Sequence, residues 1–403
     1  MLNNALTIGA FGMRLASQAI LLLCAYVWLD PTSYQFLLLL SFFASFLSLS
    51  DFGFAQLIVK KLDFALQQPK AKAGSLLRKI VQTSLIPISL GISIAIAFLI
   101  VVSRLDRGGE FVELIPLYTM LYLANYGFTL GVNACLGLGR ATEARLLEIF
   151  KHSLLIVVSV LSLYFLRDIT LLIISQAFAG LVMLLAVFGY IFANASRQLE
   201  ATSPTDQTAS ITVVGDFLRS SLGEIIFKSA LLFSTWSLSS SIQLEEANII
   251  LTGIKLMDVV SILVINFAYV NLRRFRDVAR FMPNWLLMNF ALITTYILVI
   301  LSIMLVPRLM WSVSVHQHLP LLFLAAWFFI AWRACNFAEF MTNLSDHYWQ
   351  FKHYLRAVCG ASIIGLIGYL WQGLQAQTVL FAIALSVSFT VLPQAVWQLK
   401  KFR

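Results

Sequence analysis

Nine ionisable side chains fall inside long apolar runs of this chain: Arg14, Arg219, Lys228, Lys255 and Arg333, with Asp51, Glu224, Asp258 and Glu339. Near the centre of a membrane helix each would cost about 2.5–3.5 kcal/mol on the most lenient insertion scale, so each is expected to face a partner or a hydrated cavity. Glu224 and Lys228 are spaced i,i+4, and Lys255 and Asp258 i,i+3, so each pair shares one face of a helix. On one reading these four are structural pairs that neutralise each other locally. On the other, Lys228 and Lys255 are contacts along a transit path. Arg14, Arg219 and Arg333 then face only Asp51 and Glu339, a cationic surplus that an external anion would cancel. The competing arrangement pairs Arg14 with Asp51 and sends the other two arginines to the interface. The chemistry of such a cluster is anion capture. The planar guanidinium fork makes bidentate hydrogen bonds to phosphate oxygens and stays charged when partly dehydrated, which suits a diphosphate. The four acids are charge partners in this scheme or groups that couple to an ion.

The elements that must hold these residues are membrane helices. Of the 403 residues 60% are hydrophobic and 12% charged, against roughly 25% charged in soluble domains. That composition excludes a water-soluble fold and requires lipid as the solvent for most of the surface. With about 20 apolar residues per crossing, helices are expected near Ala5–Leu29, Tyr34–Val59, Ile80–Val102, Leu114–Leu136, Leu146–Leu166 and Ile169–Phe192. Six more are expected near Val214–Leu238, Ala247–Val270, Trp285–Val306, Leu319–Met341, Tyr354–Trp371 and Thr378–Leu399. When the connections are numbered alternately, 19 Lys and Arg residues fall on one side and four on the other (Arg104, Arg107, Arg167 and Arg308). Positive charge concentrates on the cytoplasmic side, so both termini are expected there, and a miscounted helix would scramble the division. Trp28, Trp285, Trp311, Trp371 and Trp397 near the span ends suit an interfacial aromatic belt.

The Ser/Thr/Pro-rich stretch Ala201–Ser210 reads as a flexible linker. It predicts an N-terminal lobe over 1–195, a cytoplasmic linker over 196–212 and a C-terminal lobe over 213–403. The expected architecture is an all-α polytopic membrane protein, about twelve spans in two six-helix lobes around a central cavity. A parallel repeat of the halves would align Arg14 with Arg219 and Asp51 with Asp258.

Tyr118, Tyr122, Tyr126, Thr129 and Asn133 recur at helical spacing in the fourth span. Such a face packs helices together, or stacks on sugar rings and bonds their hydroxyls. Pro87, Pro393 and the glycines Gly127, Gly131, Gly137 and Gly139 mark kinks or close packing. Cys24, Cys135, Cys335 and Cys359 lie far apart in apolar runs, and His316 and His318 in a short external loop, so neither a disulfide framework nor a metal site is indicated. No cofactor motif or nucleophile-base signature is present. The basic residues recur as short clusters between spans rather than as a patch with stacking aromatics, which argues against nucleic acid. The first apolar run lacks a basic leader and is long enough to span, so it is expected to remain as the first helix.

Leu49-Ser50-Asp51-Phe52-Gly53-Phe54, followed by Lys60-Lys61, resembles the Leu-x-Asp-Phe-Gly-Leu signature of Wzx-type O-antigen and polysaccharide flippases. Gly9, Gly12 and Arg14 in the first helix, and Gly137, Gly139, Arg140 and Ala144 leading into the fifth, are similar to theirs as well. The resemblance covers the whole chain by layout, and the second half by layout only. It implies a member of the multidrug/oligosaccharidyl-lipid/polysaccharide exporter (MOP) superfamily, in which two six-helix lobes form a V around a cavity that is cationic in the flippases. It also implies location in a bacterial cytoplasmic (inner) membrane, with the bilayer and other polysaccharide-assembly membrane proteins as partners. The implied cargo is an undecaprenyl-diphosphate-linked glycan, moved from the cytoplasmic to the periplasmic leaflet, and the implied phosphate contact is first of all Arg14. Two other classes compete. A membrane glycosyltransferase of the O-antigen polymerase or ligase type would need a sizeable external loop, whereas every external loop here is roughly a dozen residues or fewer. A drug/cation antiporter of the same superfamily would find its cationic substrates repelled by buried arginine.

Overall fold

The structure is a computed structural model of the chain, and it describes residues 2–48, 88–89, 91–100, 109–137, 139–199, 213–270, 281–311, 316–342, 349–372 and 376–401. They form twelve helices and one 3-10 turn, with no strand among the described residues. These are α1 (Leu2–Trp28), α2 (Pro31–Leu47), α3 (Gly91–Ile100), α4 (Gly109–Gly137), α5 (Ala141–Phe165), α6 (Ile169–Leu199), α7 (Val213–Ser241), α8 (Leu244–Val270), α9 (Phe281–Trp311), α10 (Leu319–Thr342), α11 (Trp349–Gln372) and α12 (Ala376–Lys401). Each corresponds to one span expected from the apolar runs. Six are long and apolar enough to cross a membrane over their described residues. Their outward surface is apolar: Phe178, Leu185, Leu287, Phe290 and Phe389 are each between 66% and 74% exposed. A soluble domain would bury such residues, whereas lipid makes their exposure favourable.

Helix ends follow from local chemistry. Asp30 caps α2, its carboxylate accepting hydrogen bonds from the Thr32 and Ser33 amides at 3.0 Å each, with Pro31 at the first helical position. Asp168 caps α6 in the same way, accepting from the Leu171 amide at 2.8 Å. Between α4 and α5 the amides of Gly139 and Arg140 donate to the carbonyls of Leu136 and Cys135 at 3.1 and 2.9 Å, and Gly139 has φ +76°. This Schellman turn needs the left-handed conformation that glycine adopts without a Cβ penalty.

The described contacts gather into two compact units. The first comprises Met1–Ser33 and Leu47–Phe217, the second Tyr34–Phe46 and Leu218–Arg403. In the first, α4 packs on α6 and α1 on α5. Gly127 and Gly131, one turn apart on α4, face Leu184 and Val187 of α6 so closely that a Cβ would fall 2.8 and 2.6 Å from side-chain carbons. Missing side chains thus let the two backbones approach, with Phe128, Val132, Cys135, Met183, Val187 and Ile191 forming the core of the seam. In the second unit α8, α9, α10 and α12 enclose an aromatic cluster in which Phe227 stacks on Trp332 at 5.2 Å, beside Phe328 and Phe329. The second unit also takes in most of α2: the hydroxyls of Tyr34 and Thr252 meet at 2.6 Å. A division of the chain at the linker alone places all of α2 in the N-terminal lobe and all of α7 in the C-terminal one, and the contact grouping differs from it in most of α2 and in the first residues of α7.

Candidate functional site

Charge inside the second unit converges on Asp258 of α8, which is 3% exposed. Its two carboxylate oxygens are divided between two cations: Arg333 of α10 donates from Nη2 to Oδ1 at 3.1 Å, and Lys255 from Nζ to Oδ2 at 3.4 Å. The i,i+3 spacing on one helix brings Lys255 to Asp258, whereas Arg333 arrives from a helix 75 residues away. Arg333 also donates from Nε to the Ser261 hydroxyl at 2.8 Å, and that hydroxyl donates to the Asp258 carbonyl at 2.6 Å. The guanidinium lies over the Trp332 ring, 3.9 Å from its centroid. Lys255 completes its shell from α2, donating to the Ser41 carbonyl at 3.2 Å and the Ser45 hydroxyl at 3.3 Å, with the Phe42 ring at 5.1 Å. Lys255 and Arg333 are themselves buried. Two buried cations therefore share one carboxylate, and among the described residues the cluster keeps a positive surplus. An arrangement of this kind holds a structural position and also favours an anion brought beside it.

In the first unit Arg14 lies exposed on α1, three residues before Ser17. The Ser17 hydroxyl donates to the Arg14 carbonyl at 2.8 Å and meets Nδ1 of His152 on α5 at 3.2 Å. Next to His152 is Lys151, only 6% exposed, with its amine 4.5 Å from the centroid of Phe128 on α4. Arg14 is close enough to act electrostatically on both Lys151 and His152. Earlier on α5 Arg145 pairs with Glu148 at 2.6 Å, and Arg140, just before the helix, pairs with Glu143 at 3.2 Å.

The remaining expected site residues divide as follows. Lys228 is half-buried on α7. Arg219 and Glu224 lie on α7 and Glu339 on α10, with side chains outside the described set, and Asp51 falls outside the described residues altogether. On α4, Tyr122 and Tyr126 stack in parallel at 6.2 Å, and the Tyr122 hydroxyl donates to the Leu47 carbonyl at 3.0 Å, so these two rings engage in helix packing. Tyr118 and Asn133 are partly exposed on the same helix. Among the described residues no three His, Cys, Asp or Glu side chains cluster to hold a metal.

Lys151 and His152 are the residues the sequence reading passes over. The charge tally counts Lys151 with the cytoplasmic loops, although it falls five positions beyond Leu146, the start of its own expected span. That position inside an apolar run was the signal.

No protein-family model matches the chain, and no curated protein does so either. Solved structures do. A MATE structure in complex with MaL6 superposes with a TM-score of 0.63 at 16% identity, covering 100% of this chain and 96% of the other. An outward-facing multidrug resistance MATE transporter of the MOP superfamily gives 0.61 at 16% identity with the same coverage. A MOP superfamily transporter from Pyrococcus furiosus, described as having a binding pocket of reversed polarity that suggests a different function, gives 0.60 at 15%. At these identities the likeness is one of fold. The chain has the all-α polytopic fold of the MATE transporters, along its whole length.

Proposed function

We propose that this protein is a transporter of the MOP type that moves an anionic lipid-linked oligosaccharide, a glycan on undecaprenyl diphosphate, from the cytoplasmic to the periplasmic leaflet of a bacterial inner membrane by alternating access. The fold of the MATE structures supports transport rather than catalysis as the activity. The observation that carries the choice of cargo is the charge of the second unit, where among the described residues Asp258 alone is paired with both Lys255 and Arg333. Buried positive surplus attracts a diphosphate and repels a cation. In this scheme Arg14 and Arg333 are contacts for the diphosphate on its path, while the polyprenyl tail stays in lipid. Arg219, Lys228 and Lys255 belong to the same proposed path, Tyr118 and Asn133 to its glycan-facing wall, and Asp51, Glu224 and Glu339 to its charge partners.

Drug export is the second reading, favoured by the multidrug transporter among the similar folds. The transporter of reversed pocket polarity suits the first reading, because there a change of pocket charge is described together with a change of function. A deletion strain discriminates between them. A flippase mutant accumulates single lipid-linked repeat units on the cytoplasmic face and keeps its drug susceptibility, and Arg14→Ala at normal protein level behaves like the deletion. Normal surface glycan in both the deletion and Arg14→Ala, with new drug sensitivity in the deletion, refutes the proposal.

A further inference from the structure

Lys151 is a buried cation to which no carboxylate is bonded among the described residues of the first unit. Its side chain is 6% exposed, too little for an amine that reaches out to an aqueous interface. Among the described residues it makes no hydrogen bond and no ion pair, and its amine lies over the face of Phe128. The carboxylate nearest in sequence, Glu148, exerts some attraction on it but is bonded to Arg145 at 2.6 Å, and Glu143 is bonded to Arg140. Arg14 adds a second positive charge across the α1–α5 seam with no carboxylate bonded to it among the described residues, and His152, next to Lys151, is held by Ser17. Among the described residues, four cations and two carboxylates belong to this part of α1 and α5, so two positive charges are left over there. A buried amine beside a like charge is unfavourable in the empty protein and becomes favourable when a dianion enters.

We propose that Arg14 on one turn of α1 and Lys151 and His152 on one turn of α5, backed by Phe128 of α4, form a binding site for a phosphate-type dianion. Charge matching selects the ligand class: a carboxylate or chloride neutralises one of the two cations, whereas a diphosphate neutralises both. Ser17 and His152 supply neutral hydrogen-bonding atoms beside them. The site deepens the transport reading by naming where in the first unit the anionic group docks, yet it rests on its own geometry.

The test uses the full-length protein in lipid nanodiscs. Inorganic pyrophosphate and a short-chain prenyl diphosphate are titrated separately, with chloride as comparator, and read by calorimetry and by the unfolding temperature. Lys151→Met keeps the length and apolar stem of the side chain, and Lys151→Arg keeps the charge. Lys151→Met is expected to lose at least tenfold in affinity while the ligand-free variant melts at or above wild type, because a strained cation has gone. Lys151→Arg is expected to keep most of the affinity. Equal binding of both ligands identifies the phosphate group itself as sufficient, and binding of the prenyl compound alone identifies a lipid headgroup. Unchanged affinity in Lys151→Met, a ligand-free variant melting well below wild type, or no binding of either ligand to the wild type overturns the site. The two proposals separate in their failures: Lys151-dependent pyrophosphate binding without glycan flipping in cells leaves the site and removes the function. Wild-type flipping by Lys151→Met does the reverse.

Discussion

Replacing Asp258 by Asn tests the charge arrangement of the second unit with almost no change of shape. The amide still accepts a hydrogen bond, so the perturbation is the loss of one negative charge between Arg333 at 3.1 Å and Lys255 at 3.4 Å. The site is 3% exposed, which prevents water from screening the two cations that remain. Breaking a buried pair by neutralising one partner costs about 3–5 kcal/mol. Here one carboxylate serves two cations, so the loss belongs at the upper end of that range, about 4–5 kcal/mol, an equilibrium shift of about one- to five-thousand-fold. Chemical unfolding in mixed micelles, followed by the fluorescence of Trp332 and its neighbours, measures it. The same experiment on Asp258→Leu combined with Arg333→Met and Lys255→Met should return most of the loss, since an apolar replacement of a whole buried network is often neutral or stabilising. A single Asp258→Asn that unfolds within about 1 kcal/mol of wild type, the scale of exposed ion pairs, would refute the claim that this carboxylate balances both cations.

Two further outcomes follow from the first unit. Gly131→Ala places a methyl 2.6 Å from Val187 Cγ1 and 3.0 Å from its Cγ2, an overpacking expected to cost about 1–3 kcal/mol, whereas Gly189→Ala, with no atom within 4 Å, stays near neutral in the same melting assay. Partial burial alone would raise the Asp30 pKa, but hydrogen bonds from Ser33 and Thr32 hold the carboxyl below its ordinary range. Because the folded value is the lower one, the cap stabilises fully above the unfolded value of about 4 and weakens as pH falls through the folded one. Asp30→Ala should therefore cost about 0.5–2 kcal/mol near neutrality, and its gap from wild type should narrow on acidification. A gap that widens below pH 4 contradicts this assignment.

The helices were legible because a bilayer imposes a length. Twenty apolar residues can be read along a line, and most expected edges lie within five residues of the observed ones. Local pairing was legible for the same reason: Lys255 and Asp258 share a face by spacing alone. The Arg333–Asp258 bond joins positions 75 apart, and helical periodicity carries no information about which face of α10 meets α8. For that reason the sequence reading left Arg333 facing Asp51 and Glu339 only. Lys151 was obscured by a different effect. A tally of loop charge rewards every basic residue near the cytoplasm, and one lying in the first turns of a span contributes to it while also being buried. Among the tyrosines of α4, spacing defined a common face but could not say whether that face meets protein or cargo. The Tyr122 bond to Leu47 answers this for one ring.

The placement of most of α2 in the second unit has a consequence for how the chain is made. Tyr34 bonds to Thr252, 218 residues later, and Lys255 reaches back to Ser41 across 214. At a synthesis rate of about 5–20 residues per second, α2 has left the ribosome on the order of ten to forty seconds before α8 appears. During that interval Ser41 and Ser45 are held by their own helix, through bonds to the Leu38 and Ser41 carbonyls, which lets the segment wait in lipid. A polypeptide severed in the linker and expressed as two fragments would still have to exchange this segment, because the downstream fragment lacks a wall of its own core.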